Sequence, residues 1–100
     1  MAKTQKKKAE AFIGEAEKLL SKKSCFSSSK ERNQEEAAET FLQAANAYKV
    51  GGLNQEAGKT YSRVGDIYQS QLSNGTEAAK AFTQAGLFLF FAILDFDPTR

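Results

Sequence analysis

Three stretches of this chain echo one another: "EAAETFLQAANAYK" from Glu36, "EAGKTYSRVGDIYQ" from Glu56 and "EAAKAFTQAGLFLF" from Glu77, at offsets of 20 and 21 residues. Ala37, Ala57 and Ala78 correspond, as do Phe41, Tyr61 and Phe82, and then Ala44, Val64 and Ala85. The next residue is small each time: Ala45, Gly65, Gly86. At 3.6 residues per turn these positions fall on one helical stripe. Alanine and glycine let neighbouring helix axes approach, while the ring fills the space beside them. A stripe that recurs this often predicts antiparallel helices, each burying one face on its predecessor and one on its successor. Upstream, Ala9, Phe12, Ile13, Ala16, Leu19 and Leu20 form a comparable stripe, which makes about four helices.

The breaks between segments have their own chemistry. Gly51-Gly52 offers a left-handed stop to the second helix, and Asn54 can cap the third. Asn74-Gly75 makes the next break, with Asn74 and Glu77 spaced as a capping box. The second helix can start from either of two capping boxes, Ser28 with Glu31 or Asn33 with Glu36, and is expected to be under way by Asn33. Glu35, Glu36, Glu56 and Glu77 are read as helix-opening acids that complement the dipole. "VGDIY" and "AAKAFTQA" resemble two segments of the tetratricopeptide pattern, although the pair repeat is 41 residues here against about 34 in that family. The fold class expected is all-α, a tetratricopeptide-like antiparallel helical solenoid, with an ordinary four-helix bundle as the alternative.

Chemistry is scarce. The chain has no histidine and one cysteine, which removes Ser-His and Cys-His nucleophile pairs, histidine metal ligands and zinc clusters. It contains neither a phosphate-binding G-x-x-x-x-G-K-[ST] loop nor a G-x-G-x-x-G turn. We therefore expect no catalysis and no cofactor. Nucleic-acid binding is not expected either, because the rings lie on the packing stripe and the cations gather at one end. Residues 1–33 hold nine Lys/Arg against four acids, whereas residues 34–100 hold five against eight. No apolar run is long enough to span a bilayer, the basic N-terminal run is not followed by the apolar region of a secretory signal, and a single cysteine fits a reducing cytoplasm.

Between the first two helices, a loop taken as residues 21–32 strands Cys25 and Phe26 among serines and lysines. Either Phe26 folds back onto the helices, or it is displayed for a partner. With Lys22, Lys23 and Lys30 around it, the displayed form suits an anionic membrane surface. Burial of one phenyl ring contributes about 1.5–3 kcal/mol, and each nearby cation adds about 1 kcal/mol at most. The result is a weak tether that needs a second contact.

Taken together, residues 9–86 resemble the N-terminal part of a soluble NSF attachment protein (SNAP), of the alpha/beta type. The resemblance rests on "EAEKLL" closing the first helix, the Ser-rich loop with its aromatic, "EEAAETFLQAANAYK", "QEAGKTYSRVGDIY" and "EAAKAFTQAG" in order. It implies a non-enzymatic cytoplasmic adaptor, peripheral on membranes, that lies along the SNARE complex and recruits the AAA ATPase NSF. In that family the loop touches membrane. Phe26 matches one of its adjacent aromatics, and Cys25 stands where a second is expected, so insertion should be weaker. By the same resemblance Lys49 matches a lysine of the pattern and is a candidate SNARE contact, with Lys59 and Arg63 behind it. Members of the family are longer, and the part that activates NSF is not matched here. The expected division is residues 1–86 as repeats and 87–100 as a divergent hydrophobic tail or truncated end, because Leu87 to Leu94 is apolar all round. A generic tetratricopeptide-like scaffold that clasps a peptide, with no membrane role, is the alternative function.

Overall fold

The computed structural model describes residues 2–21 and 27–94. They form four helices: α1 (Ala2–Ser21), α2 (Ser27–Val50), α3 (Asn54–Asp66), which continues as a π-turn over Ile67–Gln71, and α4 (Gly75–Ile93). Each packs only on its neighbours in sequence: α1 on α2, α2 on α3, α3 on α4. Among the described residues, α1 and α4 never meet, so the array stays open and is not a closed bundle. Its Cα extents of 46 × 27 × 14 Å fit two alternating rows, α1 with α3 and α2 with α4.

The repeat stripe, apart from the exposed Phe82 and Gly86, is the core. Ala37, Phe41, Ala44, Ala45, Ala57, Tyr61, Val64, Ala78 and Ala85 are all buried, joined by Ala9 and Ala16 of α1. Phe41 and Val64 are the largest fully enclosed side chains. Between α3 and α4 the small positions set the register. A Cβ placed on Gly58 meets Leu89 Cγ at 2.6 Å, and one on Gly65 meets Phe82 Cε1 at 2.7 Å. Two large side chains of α4 thus sit directly over two glycines of α3 running the other way. Phe82 departs from its counterparts in the stripe. Its ring lies over Gly65 but remains 37% exposed, because nothing described packs on the far side of α4.

α2 ends in the paired bonds of a Schellman motif: Gly52 N–H donates to Lys49 C=O at 3.0 Å, and Leu53 N–H to Tyr48 C=O at 2.9 Å. Gly52 takes a φ of 75°, as the left-handed stop requires. Asn74 Oδ1 accepts the Glu77 N–H at 3.2 Å, as its spacing predicts. Other expectations need adjustment. Leu53, not Asn54, holds the cap position of α3, and Asn54 is drawn inward as the first helical residue. α2 begins at Ser27, so residues 27–32, expected in the loop, are helical. Asn33, Glu35 and Glu36 consequently lie inside the helix and not at its opening. Apolar periodicity cannot register a polar turn such as Lys30-Glu31-Arg32, although lysine, glutamate and arginine are good helix formers.

The apolar run after Gly86 continues α4 without a break. Phe88 is buried and stacked on Tyr61 with ring centroids 5.8 Å apart, and Phe91 meets Phe88 edge-on at 5.6 Å. Leu87, Phe90, Ile93 and Leu94 face outward. Residues 95–100 of the expected tail lie outside the described residues.

Candidate functional site

α2 and α4 stand on either side of α3 and leave a groove between them. Its floor is Tyr61, Val64 and Tyr68 of the α3 segment, one wall is Leu42 of α2, and the other is Glu77, Lys80, Ala81 and Gln84 of α4. The space measures about 160 Å³, room for one or two side chains rather than a folded ligand. Tyr61 is held at the floor by donating its hydroxyl to Asn46 Oδ1 at 2.7 Å. Burial pushes the Tyr61 phenol above its ordinary value. Tyr68 is raised by burial first and then by Glu39, Glu77 and Glu35. Both phenols stay neutral donors at ordinary pH. The surface can offer apolar contact, phenol hydrogen bonds and the Lys80 ammonium, which pairs with Glu77 at 3.4 Å.

Of the basic residues singled out by sequence, Lys49 stands seven residues beyond Leu42 on α2. Seven residues are close to two turns, so it shares the groove-facing stripe. It is half-buried. Lys59 and Arg63 are each two residues from Tyr61 and so project from the opposite side of α3. Arg63 has a packing role there: its guanidinium carbon lies 4.2 Å from the centroid of the Phe41 ring, closing the outer side of the core. The three candidates therefore belong to two faces, and one flat partner cannot touch all of them. Leu42, Tyr68 and Lys80 were not singled out in the sequence; they flank the stripe, where pattern reading sees only a boundary.

Lys30 is exposed near the start of α2. Lys22, Lys23, Cys25 and Phe26 lie outside the described residues. The end of α1 and the start of α2 lie at the same end of the array as the α3–α4 connection, where Gln34 Nε2 donates to Gln71 Oε1 at 2.9 Å. Among the described residues no group of three or more His, Cys, Asp or Glu side chains could hold a metal ion. Nor is any described helix long and apolar enough to cross a membrane.

Comparison with known proteins gives a consistent picture. The family model "Soluble NSF attachment protein, SNAP" matches residues 7–91. A "Probable vesicular-fusion protein sec17 homolog" of Neurospora crassa is 35% identical over 74 residues, which is 71% of this chain and 25% of that protein. The chain thus spans about a quarter of the length of this curated relative. No solved structure matches it.

Proposed function

The chain belongs to the soluble NSF attachment protein family, and from that membership we propose that it works as a non-enzymatic adaptor in SNARE complex disassembly during vesicle fusion and intracellular transport. The observation that carries this reading is the open zigzag of family-matched helices. An array that does not close on itself presents a long face to an elongated helical partner, which a sealed bundle cannot do. In this reading Lys49, on the groove side, meets the SNARE bundle first. Lys59 and Arg63 serve a contact on the other face. The end that carries residues 22–26 points at an anionic membrane, with Phe26 beside Cys25 inserting and Lys22, Lys23 and Lys30 supplying attraction. Recruitment of NSF belongs to the same role. The place of action is the cytoplasmic surface of membranes.

Co-sedimentation with anionic liposomes, with and without a membrane-anchored SNARE complex, tests the assignment. We expect weak recovery on bare liposomes, clear recovery with the anchored complex, and a several-fold loss for Phe26→Ser. Equal recovery of parent and Phe26→Ser removes the membrane role. Lys49→Glu is expected to lower recovery on the SNARE complex while leaving bare-liposome recovery unchanged. A competing reading draws on the apolar floor of the α2–α4 groove: a scaffold that clasps a peptide side chain and has no membrane role. Capture of soluble peptide tails without SNARE proteins selects it.

A further inference from the structure

The groove between α2 and α4 carries a charge pattern that its apolar floor does not explain. On the α2 bank Glu35, Glu39, Leu42, Asn46 and Lys49 follow one another at steps of four and three residues, so they share one side of the helix. Carboxylates occupy the end of this bank nearest the α3–α4 connection, and the Lys49 ammonium occupies the other. The α4 bank repeats the acidic half of the pattern with Glu77, whereas Gln84 further along is uncharged. α2 and α4 are each joined to α3 by a short turn and so run the same way, which brings their acidic ends together.

At that end the carboxylates converge on one group. Tyr68 lines the groove there, and Glu39, Glu77 and Glu35 all act on its hydroxyl from the two banks. Lys80 answers one of the three, pairing with Glu77 at 3.4 Å while its own side chain stays 70% exposed. Glu35 and Glu39 make no ion pair among the described residues. The phenol keeps its proton, so it can donate to a carboxylate and still accept from a cation. An apolar slot of about 160 Å³, floored by Tyr61 and Val64, thus opens at one end onto carboxylates that are only partly neutralised. The alkyl stem and charged head of a lysine or arginine match that succession of surfaces. The groove also lies inside the array, with a helix on each bank, so helices stacked beyond either end extend the rows without filling it.

We propose that this groove seats a helix of the partner, with a lysine or arginine held between Glu39 and Glu77 beside Tyr68 and an acidic residue at Lys49. This seating rests on the adaptor reading above and adds to it the chemistry and the direction of the partner. Glu39 and Lys49 are ten residues apart on α2, which is about 15 Å along the axis. The partner helix therefore carries its cation and its acid about ten or eleven residues apart on one face, with apolar residues between them over Leu42 and Val64. A wholly basic surface would suit any acidic helix, whereas this one selects a helix charged in both senses. It also fixes which way that helix runs, because the reversed helix sets like charges against each other at both ends.

Recovery on the membrane-anchored SNARE complex tests the seating by the sign of a charge change. Glu39→Lys is expected to lower recovery about fivefold relative to Glu15→Lys, which makes the same change in net charge at an exposed position of α1, away from the groove. Glu39→Gln should fall part of the way, and it serves as the measure if Glu39→Lys loses helicity by circular dichroism. Simple attraction of a basic adaptor to an acidic bundle gives the reverse, a gain from either added lysine. Recovery of Glu39→Lys equal to or above that of Glu15→Lys overturns the proposal and leaves the adaptor reading standing. If the parent itself is not recovered, the adaptor reading fails and a titration of the isotope-labelled chain with alanine-based helical peptides decides. A peptide with Lys and Glu eleven residues apart, and leucines between them on the same face, should shift the amide resonances of Glu39, Tyr68 and Lys49. Peptides with Glu at both positions, or Lys at both, should shift them about fivefold less. Equal shifts from all three, or none from the Lys/Glu peptide, overturn the proposal.

Discussion

Gly52 shows how much a single backbone angle can decide. Its φ of 75° turns the chain so that Leu53 donates back to Tyr48 and packs beside it against the core. An L-residue there sets its Cβ against the following carbonyl, at about 1–2 kcal/mol. Gly52→Ala is therefore expected to lower the unfolding free energy by that amount in urea denaturation, with an unchanged m-value. Gly51→Ala, beside it, is expected to cost less. Equal effects at the two positions would show that the left-handed turn is not what stops α2. Arg63 is the opposite kind of residue, since sequence offers it as a free cation and the structure lays it over Phe41. Any loss of binding in an Arg63 variant must therefore be separated from loss of packing before it counts as a contact.

At the scale of elements, the stripe of small residues and rings was legible because burial on two sides leaves a strong period. The alanines, Phe41 and Tyr61 lie where it puts them. What escaped were features that burial does not mark. The first turns of α2 are polar and carry no period. The π-turn left a trace that can be read only with the structure in hand. The offset between segments grows from 20 to 21 residues, yet both connections hold three residues, 51–53 and 72–74. The extra residue therefore sits inside the helix, where Leu72 N–H reaches back five residues to Ile67 C=O at 3.1 Å. Of the candidate binding residues, Lys49 was offered by its motif alone. That Lys59 and Arg63 lie on another face was not legible, because a charge off the stripe can point either way. The α3–α4 register makes a quantitative distinction. At Gly58 an added Cβ meets Leu89 side-chain carbons and, at 3.1 Å, its backbone nitrogen, which cannot swing aside. Gly58→Ala is expected to cost about 1–3 kcal/mol through overpacking. At Gly65 the obstacle is only the half-open Phe82 ring, and the helix gains about 0.5–1 kcal/mol from replacing glycine. Gly65→Ala should lie near neutral in thermal denaturation, and a ranking in which it is the worse of the two would mean that the register is misread.

At the scale of the whole molecule, no contact among the described residues closes the array. Where α1 meets only α2 and α4 meets only α3, stability is a sum of neighbour interfaces, and damage at one end need not reach the other. A closed bundle behaves otherwise, because its first and last helices share a core and are lost together. Ala16 discriminates between the two. It is fully enclosed in α1 and belongs to a cluster with Ala38 and Phe41 of α2, which continues through Val64 and Ile67 to Ala81 of α4. Ala16→Asp buries a carboxylate with no partner provided for it, a change of several kcal/mol if the charge stays inside. The cheaper response is for α1 to detach. Native-state hydrogen exchange followed helix by helix should then show α1 amides losing protection and α2 losing part of its own. α3 and α4, still joined through the glycine positions and the Tyr61–Phe88 stack, should keep most of theirs. Loss of protection in all four helices to the same extent would mean that the array folds as one closed unit. The open face offered to a helical partner would go with it.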